Sequence, residues 1–162
     1  MSQLAFRSID LDRTERLCRH FEEEAFICSF GDSSGFHESD GQGGNRCIEN
    51  LRSKLAADPA CGVHLWQGSQ IIGMLVMGAY RPDPSMGYVF LYYLIPEVRG
   101  TGISRFLDDH AMAYFKGKGY QKARLSVSPS NARAIRFYEK HGWVDIGVHP
   151  ARPVVHLMEK AL

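Results

Sequence analysis

Tyr92-Tyr93-Leu94-Ile95-Pro96-Glu97-Val98-Arg99-Gly100-Thr101-Gly102-Ile103-Ser104 is the stretch on which the reading of this chain turns. An apolar strand pattern runs up to Pro96, two glycines follow, and a helical pattern begins at once. In that pattern Ile103, Phe106, Leu107, His110, Ala111, Tyr114 and Phe115 recur at helical spacing. Glycine lets a backbone approach a ligand closely, and the unpaired N–H groups of a helix start point at an anion, so the arrangement suits a phosphate. No Gly-Lys-Ser/Thr follows, which excludes a Walker loop. Arg105 stands where a dinucleotide fingerprint needs its third glycine. Taken alone, the turn is explained equally well as a plain connection between strand and helix.

Outward from this stretch the pattern alternates between strand and helix periods. Leu4 to Ile9 reads as a strand. A helix from about Asp12 carries Thr14, Leu17, Cys18, Phe21, Ala25 and Cys28 on one face. Phe30 to Gly44 reads as a glycine-rich loop. Ile48, Leu51 and Leu55 mark a second helix, ended by Asp58-Pro59. Gly62 to Gln67 and Gln70 to Tyr80 flank Gly68-Ser69 as a hairpin. Gly87 to Ile95 is apolar throughout, as a buried central strand should be. After the long helix come a strand at Ala123 to Val127, a helix at Asn131 to His141, and strands at Trp143 to Val148 and Val154 to Met158. The expected class is mixed α/β, with strand-helix-strand crossovers in the second half.

A second stretch specifies the chemistry: Leu125-Ser126-Val127-Ser128-Pro129-Ser130-Asn131-Ala132-Arg133-Ala134-Ile135-Arg136-Phe137-Tyr138-Glu139-Lys140-His141-Gly142-Trp143. Together the two stretches resemble the GNAT superfamily of N-acetyltransferases. The family's Arg/Gln-x-x-Gly-x-Gly/Ala motif is matched from Arg99 except at Ser104, where a small residue still permits close approach. Its Leu-x-Val, Asn, Ala-Ile-x-Phe-Tyr-Glu-Lys-x-Gly-Phe/Trp motif is matched almost position by position. Leu157 to Lys160 looks like the family's last strand.

The resemblance implies a mixed, mostly antiparallel sheet of six or seven strands, flanked by about four helices, with a splayed V between the central strands. It implies acetyl-CoA as acetyl donor and no metal. Pyrophosphate would rest on the backbone from Gly100 through Thr101, Gly102, Ile103 and Ser104 to Arg105, with Arg99 opening the motif. The pantetheine arm would lie along Leu94, Ile95 and Pro96, and the Leu94 N–H would stabilise the oxyanion. Asn131 would contact the cofactor arm, although a plain helix N-cap explains it as well. Tyr138 would be the general acid toward the departing thiolate; a core tyrosine beside Phe137 is the bland alternative. Tyr92 and Tyr93 alternate across the sheet, so one is expected to line the acceptor cleft, with a core role as the alternative. Gly87 to Ile95 contains no Asp, Glu or His that would serve as base on that strand. Water, or Glu23, Glu24, His37, Glu38 or Asp40, remains for the amine's proton; each of these side chains also reads as a solvated surface group.

Composition bounds the rest. The chain has 162 residues, 44% apolar and 23% charged, with a net charge of +1. One domain over residues 1–162 is expected. Such a charge excludes a nucleic-acid reader and gives no reason for membrane attraction. No apolar run follows a basic start, and four cysteines without a C-x-x-C pair speak for reduced thiols, so a cytoplasmic location is expected. The expected acceptor is a small-molecule amine. A peptide N-terminus, or a non-catalytic acyl-CoA sensor, are the alternatives. The family also contains homodimers, and no stretch of this sequence decides that point.

Overall fold

In the computed structural model, which describes residues 3–34, 36 and 45–162, the patterns resolve into seven strands and four helices among the described residues. They follow in the order β1 (Leu4–Ser8), α1 (Leu11–Phe30), α2 (Asn45–Ala57), β2 (Gly62–Gln67), β3 (Gln70–Ala79), β4 (Gly87–Leu94), α3 (Ser104–Gly117), β5 (Lys122–Val127), α4 (Ala132–Lys140), β6 (Val144–Val148) and β7 (His156–Ala161). The sheet order is β1-β2-β3-β4-β5-β7-β6. β1–β2, β2–β3, β5–β7 and β6–β7 are antiparallel, while β4 and β5 are parallel. This is the mixed, mostly antiparallel sheet with four helices that the sequence led us to expect.

By internal contacts the chain divides into two compact units, Met1–Val76 with Leu91–Ser104, and Met77–Phe90 with Arg105–Leu162. In the first, Leu11, Cys18 and Phe21 of α1, Ile48 and Leu51 of α2, Met74 and Val76 of β3, and Leu91 and Tyr93 of β4 share one core cluster. Leu17, Ala25 and Leu55 pack against it, so most of the expected stripes point inward. Cys28 is the exception and is exposed. It lies in the last turn of α1, where Ile27 and Phe30 are exposed as well.

Two titratable groups, one in this core and one beside it, respond to burial with opposite consequences. His64 of β2, 1% exposed, lies 3.5 Å from the Cys18 sulfur through Nε2. Burial pushes the imidazole down to about 4 and the Cys18 thiol up to about 11. Both are therefore neutral at pH 7, the reverse of the thiolate–imidazolium pair that a nucleophilic cysteine requires. Glu22 faces α2, and burial pushes its carboxyl up to about 7 despite a Cys47 hydrogen bond and the nearby Lys54 charge. The depressed histidine subtracts stability as pH falls from 6.5 toward 4, and the raised glutamate subtracts it as pH rises from 4.5 through 7. A shift of either size is worth up to about 3 kcal/mol, so the two slopes oppose each other over nearly the same range. Glu22→Gln should gain stability over wild type as pH rises from 4.5 to 7, and His64→Leu should gain on wild type as pH falls from 6.5 toward 4. Urea unfolding between pH 4.5 and 8 checks this; curves parallel to wild type would contradict both assignments.

In the second unit β4 pairs with β5 at Gly87↔Ala123, Tyr88↔Arg124 and Val89↔Leu125. Tyr80, Tyr88 and Leu157 form a smaller cluster. The inner face of α3 consists of Leu107, Asp108, Ala111, Met112 and Phe115. That corrects the expected stripe: Phe106 is 49% exposed, and the charged Asp108 is buried in its stead. The last strand also begins later than expected. Val154 and Val155 belong to the turn before it, where Val155 N–H donates to the Arg152 carbonyl, and β7 starts at His156.

Candidate active site

The glycine turn is built by conformation rather than by side chains. Gly100 (φ +76°) and Gly102 (φ +88°) occupy the left-handed region, which side-chain-bearing residues rarely adopt. A Cβ placed on Gly102 would meet nothing within 4 Å, so the space over this peptide is open. Upstream, Pro96–Val98 forms a 3-10 turn, and the Thr101 hydroxyl donates to the Val98 carbonyl. Ser104 then opens the 14-residue α3. A helix start reached through glycines, with open space above, fits a phosphate ligand.

β4 delivers its end to this turn in a defined orientation. Ile95 N–H donates to the Ile72 carbonyl of β3 at 2.9 Å. On that same side Gly73 is obligatory, because a Cβ there would sit 2.8 Å from the Tyr93 carbonyl oxygen. Alternate residues of a strand turn their peptide groups to opposite sides. Leu94, between these two, therefore points its N–H and C=O away from β3, and its oxygen accepts from Arg99 Nε at 2.9 Å. The Arg99 guanidinium also lies 5.4 Å above the Tyr93 ring. The side chain of Arg99 thus ties the motif's first residue back to the strand end, a role that the spacing of the motif does not announce.

Tyr93 is 4% exposed and packs on Phe21 with ring centroids 4.5 Å apart. Burial raises its hydroxyl, Arg99 counteracts this, and the Glu24 charge adds to it. The structure thus brings Tyr93, Arg99 and Glu24 together. Tyr92 is half-buried, as are Glu23 and Glu24 on α1. His37, Glu38 and Asp40 lie outside the described residues.

Within the second unit Asn131 caps α4, its Oδ1 accepting from Ala134 N–H at 3.3 Å. Tyr138 lies near the other end of that helix. Its carbonyl accepts from the N–H groups of Trp143 at 2.9 Å and His141 at 3.0 Å. Its ring meets Trp143 edge-on at 6.2 Å. Burial, and then the negative charge of Asp108, raise the phenol well above the usual tyrosine value, so the hydroxyl stays protonated throughout the physiological range. Asp108 itself accepts from Trp143 Nε1 and from Lys160 Nζ, each at 2.9 Å. Sequence reading passed over Asp108, although a carboxylate three, four and seven residues before Ala111, Met112 and Phe115, and so on their face of the helix, was the available signal. Lys122 and Arg124 of β5 are paired with Glu159.

Residues 16–143 match the model of the acetyltransferase (GNAT) family. The chain belongs to that family. Among curated proteins it is similar to a mycothiol acetyltransferase of Beutenbergia cavernae, 32% identical over 68 residues, which make up 42% of this chain and 23% of that protein. It is also similar to N-alpha-acetyltransferase 30 of Schizosaccharomyces pombe, 26% identical over 91 residues, 50% of this chain and 61% of that protein. The chain spans less than half the length of the mycothiol acetyltransferases that it matches. Among solved structures, the PaiA N-acetyltransferase of Thermoplasma acidophilum in complex with coenzyme A superimposes with a TM-score of 0.79 at 20% identity, over 99% of both chains. A likeness at that identity establishes the GNAT fold. No helix among the described residues is long and apolar enough to cross a membrane.

Proposed function

We propose that this GNAT protein transfers an acetyl group from acetyl-CoA directly to a primary amine of a small molecule. The observation that carries the reading is the turn from Arg99 to Ser104, with two glycines at positive φ, open space over Gly102 and a helix start directly behind. Acetyl-CoA supplies an activated thioester. The backbone from Gly100 to Arg105 binds its pyrophosphate, and the helix dipole adds about 0.3–1 kcal/mol. Leu94, Ile95 and Pro96 hold the pantetheine arm, and Asn131 adds a contact beyond its cap.

The reaction forms a C–N bond and breaks a C–S bond. The Leu94 N–H, turned away from β3, donates to the oxygen on which charge develops. Tyr138 serves the leaving sulfur. A thiol has a pKa of about 8.5, below that of an ordinary tyrosine near 10, and the environment of Tyr138 widens the gap. Tyr138 therefore acts as a hydrogen-bond donor to developing thiolate, with full proton transfer uphill. The amine's own proton leaves to water or to one of Glu23, Glu24, His37, Glu38 and Asp40, since β4 offers no carboxylate or imidazole.

A peptide amine is the second reading, favoured by the similarity to an N-alpha-acetyltransferase over 61% of that protein's length. Release of free thiol from acetyl-CoA, followed across a panel of small amines and peptide N-termini, tests both. Turnover with small amines supports the first reading, turnover confined to peptides supports the second, and coenzyme A binding without any turnover would leave a sensor. Calorimetry that registers no binding of coenzyme A by the folded protein would refute all three.

A further inference from the structure

The helix that carries Tyr138 is poorly secured by its own packing. α4 has nine residues, none of them fully buried. A helix this short is marginal in isolation and depends on tertiary anchoring. Its anchor lies just past its end. Trp143, 1% exposed, donates its backbone N–H to the Tyr138 carbonyl and presents its indole edge-on to the Tyr138 ring. The indole nitrogen is bound by Asp108 of α3, also 1% exposed, and the other oxygen of Asp108 is bound by Lys160 of β7. A buried carboxylate with a charged partner and a fixed donor is costly to assemble, and removing one partner is costlier still, so such a group holds its neighbours in one arrangement. The path from α3 to Tyr138 thus runs through two hydrogen bonds and one ring contact, all at ordinary distances.

We propose that Asp108 is a positioning residue for Tyr138, acting through Trp143 to fix where the phenol hydroxyl stands. The proposal rests on the assignment of Tyr138 as the group that serves the leaving sulfur. Asp108 touches no substrate. Its effect is to keep the end of α4 from shifting by the fraction of an ångström that separates a productive donor from an idle one.

The test is a double-mutant cycle on acetyl transfer. Trp143→Phe preserves an aromatic ring but cannot donate to Asp108, and Asp108→Asn keeps an acceptor but loses the ion pair with Lys160. Each should lower kcat about tenfold while the KM for acetyl-CoA stays within about twofold. In a Tyr138→Phe background the same changes should cost nothing further, because there is no hydroxyl left to position. Equal losses in both backgrounds would mean a merely structural role and would overturn the inference. If Tyr138→Phe alone loses no rate, the assignment of Tyr138 itself fails, and the inference with it. Should Asp108→Asn not fold, Trp143→Phe carries the cycle alone.

Discussion

Gly102→Val is expected to weaken coenzyme A binding at least about 100-fold while leaving the fold in place. Gly102 stands at φ +88°, and a β-branched residue held there is strained by about 1–3 kcal/mol. Nothing of the protein lies within 4 Å of the new Cβ, so no clash adds to the strain. The chain can escape it by rotating φ to negative values. That rotation turns the peptide planes on both sides of residue 102 and swings their N–H groups away from the anion. Two hydrogen bonds to a charged group, each worth about 1.5–3 kcal/mol, are then lost or weakened. Calorimetric titration with coenzyme A measures the loss, and a thermal melt of the free protein serves as control. If affinity stays within about threefold of wild type, the turn does not bind the pyrophosphate.

Tyr138→Phe is expected to lower kcat about 100-fold, the low end for general-acid catalysis, without abolishing activity. A thiolate is already a fair leaving group near neutral pH, so a donor that shares rather than transfers its proton contributes only part of the barrier. Because burial and the Asp108 charge keep the phenol protonated, the activity of wild type should show no alkaline decline from this residue up to about pH 10. Steady-state rates of wild type and variant from pH 7 to 10 check both statements. A variant as fast as wild type would remove Tyr138 from the chemistry. A KM for acetyl-CoA that rises in step with the loss would instead assign it to binding.

The strand-turn-helix at Pro96 to Ser104 was legible in the residues because each step is a local rule. Proline and glycine punctuate the backbone, and an apolar run next to a helical stripe leaves little freedom in the order of elements. The same holds for the Asn131 cap, where one side chain serves its own helix three residues on. The errors fell where distant partners intervene. Phe106 occupies a stripe position and yet is exposed, since α3 is rotated so that Asp108 meets a tryptophan 35 residues away and a lysine 52 residues away. Cys28 lost its expected inner place in the last turn of α1, which leaves Ile27 and Phe30 exposed as well.

Sequence alone, then, determined the order of elements and the position of the glycine turn, because these follow from backbone geometry and periodicity within a few residues, and it pointed to the family through the resemblance of two motif stretches. Only the tertiary structure decided that Arg99 reaches back to the Leu94 carbonyl, that Glu22 and His64 titrate far from their usual ranges, and that a buried carboxylate stands behind Tyr138. Those facts arise from desolvation and from hydrogen bonds between segments distant in the chain, and burial has no signature at a single position until the fold brings its neighbours together.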